Sequence, residues 1–316
     1  MWKKVDIVFK LKSPLHIGYV PFKGSVVSPT RYYVLGRNLW GAITKRVTEY
    51  LCEKPKADDY KIIGRQVIEN FRFSYFYLYD GRTIYFPRYT DEGLKYGNNK
   101  EEITKSEFER RFIGSLISTA IDSNGTAKDE SLHEIEFINN KFKDENGDLK
   151  DVKIAGCIWI RKNAKIKDKK IIMNNKGIFI ENFNIIRELI LGGESKYGFG
   201  HVLLDSVNMV EFPIEVEYEQ KSEKSNKDYK KCIIKVRINE SKPLIAHLRY
   251  EKNIKFKGDI ELLTGRGYFD PKNIERVSEK PGEVISRPKY HLSPGTILCS
   301  PTEDIVLNWN GALSFR

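Results

Sequence analysis

The sequence has no apolar run long enough to cross a membrane. The longest, around residues 185–191, is far shorter than the roughly 20 residues that a spanning helix needs. The first twelve residues, MWKKVDIVFKLK, alternate between apolar and charged, and they lack the apolar core and small-residue cleavage site of a signal peptide. We therefore expect a cytoplasmic protein with no membrane partner.

Cysteine is scarce. The four cysteines, Cys52, Cys157, Cys232 and Cys299, stand singly, and the sequence contains no CxxC pair. Structural zinc sites need closely spaced ligand pairs, and disulfides are rare in the cytosol. We expect no metal site, no cofactor and no disulfide.

Catalytic motifs are also missing. No HxxxH, HExxH or GxSxG spacing occurs, and the carboxylates fall mostly in charged loops such as residues 143–148. Metal-dependent phosphoryl chemistry needs clustered carboxylates instead. The histidines are isolated from one another: His16, His133, His201, His247 and His291. We predict no catalytic residue and expect the protein not to be an enzyme.

The charge balance is positive, with 54 lysines and arginines against 43 aspartates and glutamates. This balance favours a polyanionic partner, because each neutralised phosphate releases condensed counterions. The 316 residues are 40% apolar and 31% charged, which is typical of a globular protein of about two domains.

The periodicity predicts an α+β fold. Residues 4–11 alternate like a half-buried strand, and residues 37–53 place apolar side chains every four positions, like an amphipathic helix. Further predicted elements are a hairpin at 71–89 around Asp80-Gly81, a charged helix at 99–111, strands at 151–160 and 201–210, and a helix at 179–191. This order fits a ferredoxin-like β-α-β-β-α-β unit in residues 1–209. A second, less helical copy would occupy residues 210–316, with a lysine-rich hairpin tip at 220–230.

A glycine-rich loop at residues 191–201, LGGESKYGFGH, is the most informative segment. Its glycines, Gly192, Gly193, Gly198 and Gly200, permit positive φ and let backbone N–H groups approach a ligand. Within the same loop, Lys196 adds a mobile charge, and Tyr197 and Phe199 offer ring faces for stacking on bases. We predict that this loop binds RNA.

Two other interpretations of the loop exist. Phosphate-binding P-loops run from strand to helix and end in Lys-Ser/Thr, whereas this loop is predicted to run from helix to strand, and Phe199 follows Gly198. A nucleotide-triphosphate site is therefore excluded. A helix C-cap with a tight turn remains an alternative, and it needs only Gly192 and Gly193.

A second basic cluster surrounds the predicted first helix. His16, Arg31, Arg37 and Lys45 alternate with aromatic residues there, a mixture that suits single-stranded RNA. We expect these four side chains to add positioning contacts. In the alternative interpretation Trp40 packs in the core and the three cations are simply solvated.

Four segments together resemble the RAMP superfamily of CRISPR proteins, in particular members of type III (Cmr/Csm-like) effector complexes. They are PLHIG at 14–18, VLGRNLWGA at 34–42, residues 117–137 and the glycine-rich loop. The resemblance implies tandem ferredoxin-like (RRM-like) domains, the second degenerate. It also implies a role in antiviral defence, with CRISPR RNA held by the glycine-rich loop.

Three branches of that family differ in their chemistry. Processing endonucleases carry the loop near the C-terminus, whereas more than a hundred residues follow it here. Backbone subunits that cut target RNA use an aspartate in the first loop, and none lies between His16 and Arg37. The segment RPKYHLSPGTILCS at 287–300 resembles the closing strand of the third branch, the capping subunit.

The resemblance to the capping branch implies a non-catalytic subunit that grips the repeat-derived 5′ tag of the guide RNA. Its partners would be the RAMP backbone subunits and the large subunit of the complex. Two alternatives stay open at this point. One is a backbone or processing subunit with endoribonuclease activity, and the other is a structural partner of the large subunit with incidental RNA contact.

Overall fold

The structure, a computed structural model, describes residues 1–19, 26–98, 100–129, 131–221, 231–238, 242–267, 269–270, 273–280, 282–299 and 304–316. Within these ranges the chain is α+β, rich in strands with few helices. No described helix has both the length and the apolarity to cross a membrane.

The helical elements are α1 (Gly36–Leu51), α2 (Ala57–Asn70), α3 (Lys105–Phe112) and a 3₁₀ turn (Ser195–Tyr197). The strands up to the glycine-rich loop are β1 (Trp2–Leu11), β2 (Val27–Ser28), β3 (Tyr33–Val34), β4 (Phe71–Phe73), β5 (Phe76–Tyr79), β6 (Phe86–Thr90), β7 (Gly93–Asn98), β8 (Glu101–Thr104), β9 (Ile113–Ser118), β10 (His133–Ile138), β11 (Lys141–Lys143), β12 (Leu149–Asp151), β13 (Lys153–Arg161), β14 (Lys165–Ile166), β15 (Lys169–Asn174), β16 (Gly177–Ile180), β17 (Phe183–Asn184) and β18 (Glu188–Ile190). Those after it are β19 (His201–Val207), β20 (Val216–Lys221), β21 (Lys231–Val236), β22 (Leu248–Arg249), β23 (Phe256–Lys257), β24 (Ile260–Leu263), β25 (Arg266–Gly267), β26 (Phe269–Asp270), β27 (Asn273–Val277), β28 (Val284–Ile285), β29 (Lys289–Leu292), β30 (Ile297–Leu298), β31 (Ile305–Leu307) and β32 (Leu313–Phe315).

The central sheet is built around β1. Its order is β18-β19-β1-β13-β5-β3, with β4 also paired to β13. Strand β1 pairs antiparallel with β13 from Trp2↔Arg161 to Lys10↔Lys153, and with β19 on its other edge. The predicted strands at 4–11, 151–160 and 201–210 are confirmed as the three central strands.

Helices α1 and α2 cover this sheet. The predicted helix at 37–53 is confirmed as α1, and its stripe of Leu39, Ile43 and Val47 is fully buried. Helix α2 was not predicted. Trp40 lies in the core, as the alternative interpretation expected, and its indole Nε1–H donates to the Gly64 carbonyl at 2.9 Å.

The predicted helix at 179–191 is wrong, because this segment forms β17, β18 and the end of β16. Glu181 adopts left-handed φ of 54°, which breaks a helix. The Asn184 amide then donates to the Lys176 carbonyl at 3.0 Å and accepts from the Ile186 N–H at 3.1 Å, fixing a turn. The glycine-rich loop therefore joins two antiparallel strands, β18 and β19, and does not follow a helix.

The chain from residue 99 to 111 is helical only in its second part. Strand β8 comes first and Thr104 then caps α3 in a capping box with Glu107. The turn predicted at Asp80-Gly81 exists, since the Asp80 carboxylate accepts from the N–H groups of Arg82 and Thr83, both at 2.8 Å.

Residues 210–316 form a second, seven-stranded sheet in the order β20-β21-β31-β32-β22-β29-β24, without a helix among their described residues. The two strands flanking the predicted hairpin tip are present, but residues 222–230 of that tip lie outside the described ranges. One buried apolar cluster includes side chains from both parts of the chain, such as Tyr77 and Leu248. The boundary near residue 210 stays a prediction.

Candidate nucleic-acid interface

The glycine-rich loop lies on the first loop, the segment between β1 and α1. Three backbone hydrogen bonds fix its two ends. The Gly193 N–H donates to the His16 carbonyl at 2.9 Å, the Gly200 N–H to Pro14 at 2.7 Å, and the Leu191 N–H to the Gly200 carbonyl at 2.9 Å. The base of the loop is thus closed by its own hydrogen bond and attached to Pro14 and His16, 186 and 177 positions earlier in the chain.

Two of the glycines are required by close approach. A Cβ on Gly192 would lie 2.1 Å from the His16 carbonyl oxygen, and one on Gly200 would lie 2.0 Å from that of Leu191. Gly198 has open space around it but a φ of +82°, which favours glycine. The helix C-cap interpretation is wrong, since strand β18 and not a helix precedes the loop. Positive φ occurs at Gly192 of the first glycine pair and at Gly198 and Gly200 of the second.

Residues 194–198 form the tip of the loop, where Glu194 is half-buried and residues 195–198 are exposed. Glu194 adopts left-handed φ of 55°, and the Tyr197 and Phe199 N–H groups fold back onto its carbonyl at 2.9 and 3.4 Å. The preceding N–H groups of Glu194, Ser195 and Lys196 donate to no described residue. The tip therefore has three consecutive backbone N–H groups without an acceptor among the described residues, and the exposed Lys196 belongs to the same segment.

Of the two rings predicted to stack on bases, only Tyr197 is exposed, at 64%. Phe199 is 8% exposed, and its ring meets Phe137 edge-on with centroids 5.3 Å apart. This geometry favours an anchoring role for Phe199, holding the loop on β10. Gly200, the next residue of the loop, is also buried.

His16 is a buried residue of the first loop that contacts the base of the glycine-rich loop. It is 4% exposed, and its Nδ1 lies 2.7 Å from the Glu136 carbonyl oxygen. A carbonyl oxygen only accepts, so His16 Nδ1 carries a proton and donates it to Glu136. His16 also supplies the carbonyl that receives the Gly193 N–H.

Arg31 faces inward and is 3% exposed. Its guanidinium donates to the Gly18 carbonyl at 2.6 Å and pairs with Glu261 at 3.3 Å, while the Tyr19 ring lies 4.1 Å away. A buried cation needs such partners, because an unpaired one is costly. Arg31 thus joins Gly18 of the first loop to a carboxylate of the second sheet.

Glu261 belongs to a buried polar network that spans both sheets. It accepts from the Tyr33 hydroxyl at 3.2 Å, and His247 Nε2 lies 3.2 Å from it, within ion-pair distance but not aligned for a hydrogen bond. His247 Nδ1 lies 2.8 Å from the Tyr75 hydroxyl. Burial lowers the pKa of His247. Burial raises the pKa of Glu261, but His247, Arg31 and Tyr33 together lower it to about 2.

The other two predicted cations lie elsewhere. Arg37, at the start of α1, donates to the Ser286 hydroxyl at 3.3 Å and faces the second sheet. Lys45 is exposed on α1 and pairs with Glu49 at 2.8 Å, as a solvated charge does. These two partners, Ser286 and Glu49, both lie outside the glycine-rich loop. Among the predicted residues, the structure brings together the loop, His16 and, through Gly18, Arg31.

Sequence reasoning missed Glu136, Glu261 and His247. Glu136 accepts from the Thr30 N–H at 2.8 Å and, through its carbonyl, holds His16. No local sequence pattern marks these residues, because the partners that join them to the first sheet and the first loop lie more than a hundred positions away in the chain. Within the described ranges, no three His, Cys, Asp or Glu side chains gather as a metal site.

No family model and no curated protein matches the sequence. Among solved structures, a chain of the type III-B Cmr-beta complex bound to cognate target RNA and AMPPnP is similar, with 12% identity and a TM-score of 0.50 over 99% of each chain. A chain of Cmr-beta bound to cognate target RNA gives 12% identity and 0.47, over 94% of this chain and 86% of that one. A crystal structure of Cmr4 gives 14% and 0.25, over 65% and 98%. At these identities the first likeness shows a shared fold, and the other two are too distant to carry weight.

Proposed function

We propose that this protein is a non-catalytic, RNA-binding subunit of a type III CRISPR effector complex, and that it grips the repeat-derived 5′ tag of the guide RNA. One observation carries the RNA-binding part. The tip of the glycine-rich loop has three N–H groups without an acceptor among the described residues, together with Lys196 and the exposed Tyr197 ring, and hydrogen bonds fix the base of the loop. Backbone donors and a lysine suit phosphates, and an exposed ring suits an unstacked base.

The class of complex is supported by the shared fold with a Cmr-beta chain over 99% of both chains. The four sequence segments that resemble RAMP proteins support it independently. In such a complex the chain would lie in the cytoplasm, against guide RNA, backbone subunits and the large subunit.

We also propose that the first sheet is a modified ferredoxin-like unit. Along the chain, the elements of this unit are β1, the helices α1 and α2, the strands β4 and β5, then β13 and finally β19. In the sheet, four of these strands lie in the order β19-β1-β13-β5, and each is antiparallel to its neighbours. Strands β14 to β18 take the place of the second helix of a β-α-β-β-α-β unit. The second sheet would be its degenerate, helix-free counterpart.

The non-catalytic part of the proposal is supported by the surroundings of His16. A general base must reach the proton that it removes, whereas His16 is buried with Nδ1 held by the Glu136 carbonyl. Cutting of labelled repeat RNA or guide-paired target by the purified protein, lost on His16→Ala, would contradict this part and favour an endoribonuclease.

The RNA-binding part is tested by titrating the full chain with a fluorescent guide RNA that carries the tag. We expect K196A/Y197A to weaken binding at least tenfold, because a phosphate contact and a stacked base are lost together. Lys196→Ala alone should lower the salt-dependence slope of log K by about 0.7, the value for one single-strand phosphate. The matched control is Lys54→Ala, another exposed lysine without a described partner.

Unchanged affinity of K196A/Y197A would refute the loop assignment. Equal affinity for tagged RNA and for an untagged RNA of the same length would refute tag recognition while leaving RNA binding intact. Failure of the chain to crosslink to RNA inside a complex that survives nuclease treatment would favour the structural-partner alternative.

A further inference from the structure

A second feature of the molecule lies between α1 and the second sheet. A cavity of about 510 Å³ opens there, which we call the basic cavity. Its walls come from the start of α1, from β22, β24 and β29, and from the turn before β32. Gly36 makes the arrangement possible, since a Cβ at this position would lie 2.8 Å from the Asn310 carbonyl oxygen.

The charges around the basic cavity are of one sign. Fifteen described residues line it, and they include four cations, Arg37, Arg249, Arg287 and Lys289, but no aspartate or glutamate. In the whole chain the ratio of cations to anions is 54 to 43, so the lining departs strongly from the average. A concave wall of one sign concentrates the field and attracts an ion of opposite sign.

Two of these cations have no partner within the described chain. The guanidinium groups of half-buried Arg249 and exposed Arg287 make no hydrogen bond or ion pair with any described residue. A guanidinium offers a planar fork of donors that matches phosphate oxygens. The pair therefore provides donors for a phosphate group at the wall of the cavity.

The remaining lining suits an aromatic ring with polar edges. Trp309 lines the cavity and is held edge-on by Trp40, with ring centroids 4.9 Å apart. Beside it, the Asn310 side-chain oxygen accepts the Ala312 N–H at 3.2 Å, while its amide NH₂ group donates to no described residue. The volume falls within the roughly 300–1,000 Å³ of small-molecule sites.

From this lining we propose that the basic cavity binds one nucleoside phosphate, with its phosphate on Arg249 and Arg287 and its base against Trp309. This inference stands on the cavity alone and does not depend on the glycine-rich loop. The nucleotide has two sources with the same chemistry, a free mononucleotide or a nucleotide of an RNA strand, and the experiment separates them.

The test is isothermal titration of the full chain with AMP, with adenosine and with an eight-nucleotide RNA. All titrations use the K196A/Y197A background, so that the glycine-rich loop does not contribute. We expect AMP to bind at least tenfold more tightly than adenosine, and R249Q/R287Q to weaken AMP at least tenfold. Arg110→Gln, an exposed arginine away from the cavity, is the matched control and should leave AMP affinity unchanged. Circular dichroism establishes that each variant is folded.

Binding of the RNA without binding of AMP, again lost in R249Q/R287Q, identifies a strand as the source. Trp309→Leu should weaken AMP while leaving the affinity for inorganic phosphate unchanged, which separates the ring contact from the charge. The inference is overturned if neither AMP nor the RNA binds, if adenosine binds as tightly as AMP, or if R249Q/R287Q binds like the parent. Because the background lacks the loop contacts, these outcomes leave the proposed tag-binding function untouched.

Discussion

Replacement of Glu261 by glutamine removes the charge that joins Arg31 of the first loop to His247 of the second sheet. The pKa of Glu261 is lowered from 4.5 to about 2 in the folded chain, and at 1.36 kcal/mol per pKa unit this corresponds to about 3 kcal/mol of folding free energy. The side chain is 17% exposed, so solvent screens little of it. In other proteins, loss of one partner from a buried ion pair costs about 3–5 kcal/mol of stability, and the value for Glu261 falls at the lower end of that range.

The pH dependence follows from the direction of each pKa change. A carboxylate with a lowered pKa stabilises the fold above its unfolded pKa, and that contribution is lost as the pH falls from about 4.5 towards about 2. His247, whose pKa is also lowered, acts in the same direction below about 6.5, the value of the unfolded side chain. The parent should therefore lose stability in two steps on acidification, and Glu261→Gln should lack the lower one.

The measurement is urea unfolding followed by tryptophan fluorescence at pH 7, 5 and 3, on the parent, on Glu261→Gln and on the control Glu92→Gln. Glu92 forms an exposed pair with Lys95, so its replacement should leave the unfolding free energy unchanged. We expect the difference between parent and Glu261→Gln to be about 3 kcal/mol at pH 7 and to shrink at pH 3. A difference no larger than that of the control, or one that grows on acidification, would refute the role given to this network.

Two further predictions concern glycine and cysteine. Gly192→Ala should lower the free energy of unfolding in urea more than Gly198→Ala does. Both place alanine at left-handed φ, which costs about 1–2 kcal/mol, but only Gly192→Ala also puts a Cβ against a carbonyl oxygen. Equal losses would mean that the loop base is not packed as described. Cys157 is fully buried, and burial raises its pKa, so iodoacetamide at pH 8 should alkylate the exposed Cys299 in the native protein and Cys157 only after unfolding. Peptide mass spectrometry checks this, and native labelling of Cys157 at the rate of Cys299 would contradict the packing of the central sheet.

Periodicity succeeded where one face of an element is buried and the other is not. Helix α1 has Leu39, Ile43 and Val47 in one buried stripe, and β1 buries Val5, Ile7, Phe9 and Leu11 while Asp6 and Lys10 between them are only half-buried. It failed at 179–191, where apolar residues are dense enough to match either period. There the local turn chemistry of Glu181 and Asn184 decides for strands.

The sequence also predicted only those features of the candidate site that neighbouring residues determine. The loop was recognisable because its glycines and its exposed Lys196 and Tyr197 are neighbours in sequence. The burial of Arg31 and Phe199 could not be predicted from the sequence. Their burial depends on Glu261 and Phe137, which lie far away in the chain. The basic cavity could not be predicted from the sequence for the same reason, because its walls come from five separate stretches of the chain.

The pairing of β1 also has a consequence for synthesis. This strand ends at Leu11, whereas its neighbour β19 begins at His201, about 190 residues later. At the usual 5–20 residues per second, a ribosome needs about 10–40 s to cover that distance. During this interval the first strand carries an unsatisfied edge next to the growing chain, which is a template for wrong pairing. A chaperone that shields the nascent N-terminal strand would therefore raise the yield of folded protein more than one that acts after release.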